Sequence, residues 1–102
     1  MSIIHVTTEN FEESVLKNDK TVILDFYADW CGPCRMVAPI VEAISEEHPE
    51  YKIGKINVDE QGELATTFGV MSIPSLFVIK NGEVANQAVG ARTKAQILDM
   101  LK

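Results

Sequence analysis

The chain has 102 residues, 46% of them hydrophobic, with 9 Lys and Arg against 15 Asp and Glu for a net charge of -6. That composition supports one domain with its own core, which buries roughly two-thirds of the unfolded surface, and the acidic balance excludes nucleic acid and anionic membranes as partners, since phosphate contacts need clustered Lys and Arg. Two cysteines are too few to staple a secreted mini-domain, and no apolar run approaches the ~20 residues of a membrane span.

The opening Met1-Ser2-Ile3-Ile4-His5-Val6 has no basic stretch, long apolar core or small-residue cleavage site. We therefore expect no signal peptide and a cytoplasmic location. Ile3 to Val6 reads as a short strand. Thr8 or Asn10 is a candidate cap for a first helix in which Phe11, Val15 and Leu16 share a face, and Asn18-Asp19 ends it. Thr21 to Ala28 is a nearly continuous apolar run, the pattern of a central strand covered on both faces, interrupted by Asp25.

From Cys34 onward Met36, Val37, Ile40, Val41 and Ile44 recur at helical spacing, with Glu42, Glu46 and Glu47 on the wet face and a kink expected at Pro39. Lys52 to Val58 reads as a third strand, Glu63 to Phe68 as a short helix and Ser75 to Lys80 as a fourth strand. Asn81-Gly82 predicts a tight hairpin into Glu83 to Val89. Thr93 with Gln96 forms a capping box for a last helix carrying Ile97, Leu98 and Leu101. The order βαβαβαββα describes an α/β domain over residues 1–102, with a parallel sheet at the start and antiparallel strands added late.

Cys31 and Cys34 stand in Trp30-Cys31-Gly32-Pro33-Cys34, after a strand pattern and before a helical one, which puts Cys31 at a strand's carboxyl end and a helix start. The attacking species in disulfide exchange is a thiolate, and a helix N-terminus stabilises one through unsatisfied N–H groups and positive dipole. At ~0.3 to 2 kcal/mol this lowers the thiol by about 0.2 to 1.5 pKa units. A weakly stabilised thiolate leaves the disulfide comparatively stable, so the motif favours a dithiol that donates electrons.

Gly32 lets a partner's backbone approach, and Pro33 sets φ for the first helical turn. The three-residue spacing brings the two side chains within disulfide reach, with Cys31 attacking and Cys34 resolving. An incidental or metal-binding pair is the alternative, but zinc needs two further ligands, and His5 and His48 fit no zinc spacing. Haem attachment is excluded because Arg35 stands where that motif needs His. No metal or bound cofactor is expected.

Asp25 is costly inside a covered strand unless neutral, paired or useful. Its expected partner is Lys55. Asp25 reads either as half of a structural ion pair or a strand-end carboxylate, or as a proton carrier for Cys34 tuned by Lys55.

The run Asp25-Phe26-Tyr27-Ala28-Asp29-Trp30-Cys31-Gly32-Pro33-Cys34, with Pro39, Lys55, Asp59, Ile73-Pro74, Asn81-Gly82 and Val89-Gly90 in order, resembles the thioredoxin family across essentially the whole chain. The resemblance implies a central mixed five-stranded sheet flanked by four helices, a nucleophilic Cys31, a resolving Cys34, a buried Asp25 that helps Cys34, and a cis Ile73-Pro74 bond facing the dithiol. The residues alone would favour trans, the state of all but ~5% of X-Pro bonds.

The same resemblance implies an apolar peptide groove of Trp30, Gly32, Pro33, Ser72, Ile73, Pro74, Gly90 and Ala91. Taken singly, Trp30 reads equally as core, Gly90 as a turn and Ile73 as a strand residue; their joint order carries the resemblance. Tyr27 departs from the second tryptophan many members carry, and Ser75 from the common threonine. The implied activity is reduction of protein disulfides, with thioredoxin reductase and disulfide-containing proteins as partners and a monomeric state. A dithiol oxidase or isomerase on the same fold, and a redox-independent binding module, are the alternatives.

Overall fold

Five strands and four helical segments make up the chain in a computed structural model that describes residues 3–102. Met1 and Ser2, part of the N-terminal stretch read for targeting, lie outside the described residues. In chain order the elements are β1 (Ile3–His5), α1 (Glu12–Leu16), β2 (Thr21–Tyr27), α2 (Gly32–Glu47), β3 (Tyr51–Asn57), α3 (Gly62–Thr67), β4 (Ser75–Lys80), β5 (Glu83–Val89) and α4 (Lys94–Met100). Each expected element is present, with boundaries displaced by a residue or two.

The strands form one sheet in the order β1-β3-β2-β4-β5. β3 runs parallel to both β1 and β2, whereas β4 is antiparallel to β2 and to β5. The mixed sheet follows from the connections: the crossovers through α1 and α2 return the chain in parallel, the segment through α3 brings β4 in antiparallel to β2, and the Asn81-Gly82 hairpin reverses the chain once more into β5. Asn81 and Gly82 both have positive φ, 54° and 79°, as the tightest hairpin turns require.

Strand alternation splits the core into two layers. Val22, Leu24 and Phe26 face one side with Val15, Leu64 and Phe77, while Ile23 faces the other with Val37, Val41, Ile44, Leu76 and Ile97. Asp25 shares the parity of Ile23 and therefore lies on the sheet face that α2 covers.

The first helix differs from its sequence reading. It is wound with the wider π pitch, Lys17 N–H donating to the Glu12 carbonyl five residues back. That wider turn separates the expected face: Val15 is buried, but Leu16 is 42% exposed. Neither proposed cap acts on the helix. Asn10 instead closes the preceding loop, accepting from Thr7 N–H at 2.8 Å and donating to the His5 carbonyl at 3.0 Å.

Helix α2 runs without a break through Pro39, and α4 begins with the expected reciprocal Thr93–Gln96 cap. Among the described residues no helix is long and apolar enough to cross a membrane.

Candidate active site

The end of β2 delivers the chain to the start of α2, and this junction builds the site. Cys31 is the N-cap of α2 in extended conformation, with Pro33 in the first turn. Its amide donates to the Ala28 carbonyl at 3.2 Å, and its Sγ accepts the Cys34 N–H at 3.2 Å. Cys31 and Cys34 are joined as a disulfide with Cα atoms 5.3 Å apart.

Exposure does not distinguish the two sulfurs' residues, since each is 4% accessible. Their neighbours do. Cys31 Sγ takes the helix amide and lies 3.9 Å from the Ile73 carbonyl oxygen. Cys34 instead lines a cavity of about 200 Å³ shared with Tyr27, Ala38 and Lys55.

Asp25 is 1% exposed, and its Oδ1 has no hydrogen-bond partner. Burial raises its carboxyl from the ordinary 3.8 to about 6, with the Lys55 ammonium pulling the other way. Lys55 sits opposite Asp25 in the β2–β3 register, but no ion pair joins them. The ammonium lies 4.7 Å from the Tyr27 ring centroid. Lys55 is thus the side chain common to the buried carboxylate and the cavity beneath Cys34.

The residues assigned to the groove divide around the disulfide. Ile73 packs against the cysteine pair, and the Ile73-Pro74 bond is cis. Gly32 is open, with nothing within 4 Å of where a Cβ would stand. Trp30 is 67% exposed and held by an indole N–H···Oδ2 bond of 2.9 Å to Asp59. Ser72 accepts the Ser75 hydroxyl at its carbonyl, and Gly90 N–H donates to the Pro74 carbonyl at 2.7 Å.

Trp30, Ser72 and Ile73 border a cavity of about 430 Å³, and Ala91 borders a separate one of about 270 Å³. Sequence reading missed Val58, Val70 and Met71 in the first and Met36 and Ile40 in the second. Met71 is 95% exposed, and the apolar pair Val70-Met71 in a loop just before Ser72-Ile73-Pro74 was the available signal. Met36 looked like helix core by spacing, but is 67% exposed beside the site.

The family model described as Thioredoxin matches residues 2–102. The chain belongs to the thioredoxin family. It is 49% identical over 94 residues to a thioredoxin of Streptomyces clavuligerus, covering 92% of this chain and 88% of that protein. It is 44% identical over 98 residues to a thioredoxin of Porphyra purpurea, covering 95% and 92%, and 42% identical over 98 residues to one of Rickettsia bellii (strain RML369-C), covering 95% and 93%. With its Cys31–Cys34 disulfide at the helix start, this thioredoxin-family chain is a thiol–disulfide oxidoreductase, a dithiol reductase of disulfides.

Proposed function

We propose that the chain is a general reductase of protein disulfides in which Cys31 attacks and Cys34 resolves. The observation that carries this assignment is the Cys34 N–H directed at Cys31 Sγ from the first turn of α2. After reduction the same amide and the positive end of the helix stabilise a Cys31 thiolate, while Cys34 has the Lys55-lined cavity as its polar neighbour.

The Cys31 thiolate attacks one sulfur of the substrate disulfide, forming a mixed disulfide and releasing the other sulfur as a thiolate that takes a proton from solvent. Asp25, ionised above about 6, accepts the proton of Cys34 through water in the cavity, and Lys55 holds that carboxylate in its charged form. Cys34 then attacks Cys31 Sγ, the second substrate sulfur leaves as a thiolate that is protonated from solvent, Asp25 returns its proton to solvent, and the enzyme retains the Cys31–Cys34 disulfide. Two electrons from thioredoxin reductase restore the dithiol.

Trp30, Gly32, Pro33, Ser72, Ile73, Pro74, Gly90 and Ala91 receive an extended substrate segment. Exposed Trp30 and the open face of Gly32 support such an approach, and a surface of small residues and backbone suits many sequences. We further assign the chain as a single-domain cytoplasmic monomer with no bound cofactor.

Trapping tests the division of labour. Cys34→Ser, treated with a disulfide protein such as insulin, accumulates a mixed disulfide through Cys31, and Cys31→Ser accumulates none. Equal capture by both variants overturns the assignment.

A further inference from the structure

The chain has two arginines, Arg35 directly after Cys34 and Arg92 directly after the groove residues Gly90-Ala91. Their surroundings differ. Arg35 donates to the Asp29 carbonyl at 2.9 Å and shares its cavity wall with Asp29, so a carboxylate already stands on that flank. Arg92 borders the cavity of about 270 Å³ with Met36, Ile40, Ala91 and Gln96, and no carboxylate lines it.

Among the described residues Arg92 forms no ion pair, whereas Lys17, Lys94 and Lys102 each do. Its Nη1 donates to the Ala91 carbonyl at 3.1 Å, which uses one of five guanidinium donors and leaves the fork free for a planar anion. The guanidinium lies over the bare face of Gly90, where a Cβ would stand 3.5 Å from Nη1. Gly90 in turn donates at 2.7 Å to the carbonyl of Pro74, whose preceding residue Ile73 places its own carbonyl 3.9 Å from Cys31 Sγ. The cation is therefore packed onto Gly90, one backbone hydrogen bond away from the Ile73-Pro74 segment that borders the reacting sulfur.

We propose that Arg92 and the apolar wall of Met36 and Ile40 form a subsite for the substrate polypeptide that selects an acidic side chain near the disulfide. This rests on the disulfide-reductase reading and adds a specificity determinant to it. In a chain of net charge -6 the overall field disfavours acidic partners, so one unneutralised guanidinium over Gly90, on the segment hydrogen-bonded to Pro74, makes acidic segments acceptable on that flank. An apolar wall beside the charge suits an amphipathic residue such as Glu, whose methylenes lie on Met36 while the carboxylate meets the fork.

The test uses the full chain and short disulfide peptides that carry Glu, Gln or Lys on one side of the reacting cysteine, and the matching set on the other side. The readout is the Glu-to-Lys ratio of kcat/KM within each protein, so a general loss of activity in a variant cancels. For the parent the ratio is about 3- to 10-fold on one flank at low salt, and it shrinks at 0.5 M NaCl. Arg92→Gln brings it close to one, and Arg92→Glu reverses it. Equal rates for Glu and Lys peptides on both flanks, or a preference that survives Arg92→Glu, overturn the subsite. Failure of the parent to reduce even the Gln peptides overturns the reductase reading beneath it.

Discussion

Asp25 and Lys55 face each other across β2 and β3 without forming an ion pair. The carboxylate is buried with Oδ1 lacking a hydrogen-bond partner, and the ammonium rests 4.7 Å from the Tyr27 ring centroid. Burial raises the carboxyl to about 6 and a partner that acts through its charge without pairing pulls it only partly back, which leaves it in the range where proton transfer to and from a thiol is useful.

The first prediction concerns stability. The folded-state value of Asp25 is raised from 3.8 to about 6, so its contribution is fully present below pH 3.8 and is lost as pH rises through about 6. Asp25→Asn removes that loss. In the oxidised protein the variant gains over the parent as pH rises from 4 to 7, reaching about 3 kcal/mol from roughly 1.4 kcal/mol per pKa unit. Denaturant unfolding of both proteins at several pH values measures the difference; a constant offset contradicts it.

Kinetics provide a second prediction. Resolution of a preformed mixed disulfide on Cys31 slows as pH falls through about 6, because protonated Asp25 cannot take the Cys34 proton. Asp25→Asn abolishes that inflection and slows resolution on the order of 10²-fold. Lys55→Met removes the one influence that lowers the carboxyl, so the inflection moves upward. Stopped-flow release of the substrate thiol reads all three, and an unchanged profile in Asp25→Asn removes that residue from the mechanism.

Trp30 is the only tryptophan, exposed and tethered by its indole N–H to Asp59 at 2.9 Å. Asp59→Ala frees the ring, lowering its fluorescence anisotropy and raising KM for protein disulfides several-fold, with kcat for a small disulfide nearly unchanged. Loss of one solvent-exposed hydrogen bond is a modest effect, on the order of 1 kcal/mol. An unaltered anisotropy shows that packing, not Asp59, holds the ring.

Gly54 in β3 is a packing requirement. A Cβ there would stand 2.8 Å from Val6 Cγ2 and 2.9 Å from Leu24 Cδ2, both in the layer opposite Asp25. Gly54→Ala destabilises the chain by about 1 to 3 kcal/mol through overpacking, measured as a lower denaturant midpoint with an unchanged slope. The dithiol chemistry persists in the fraction that stays folded.

Local patterns carried much of this protein. Apolar alternation marked the strands, and Thr93-Gln96 marked a cap that forms with both reciprocal bonds. Asn81-Gly82 marked the hairpin because its positive φ values belong to the residues themselves. The Cys31–Cys34 pair was legible because a fixed three-residue spacing at a helix start brings the sulfurs together whatever the rest of the chain does. Leu16 and Met36 were misread because period alone does not say where a helix's apolar stripe ends or whether the turn is α or π.

The sequence by itself determined the dithiol, the order of elements and the suspicion attached to Asp25, since each depends on residues close in the chain or on one side chain's cost of burial. Only the tertiary structure decided that Lys55 turns to Tyr27 without pairing with the Asp25 it faces, that the Ile73 carbonyl reaches within 3.9 Å of Cys31 Sγ, and that Arg92 lies over Gly90. Those relations depend on strand register and on how two loops meet at one end of the sheet. Register and loop meeting are set by the sum of many weak packing contacts, which no short stretch of sequence carries.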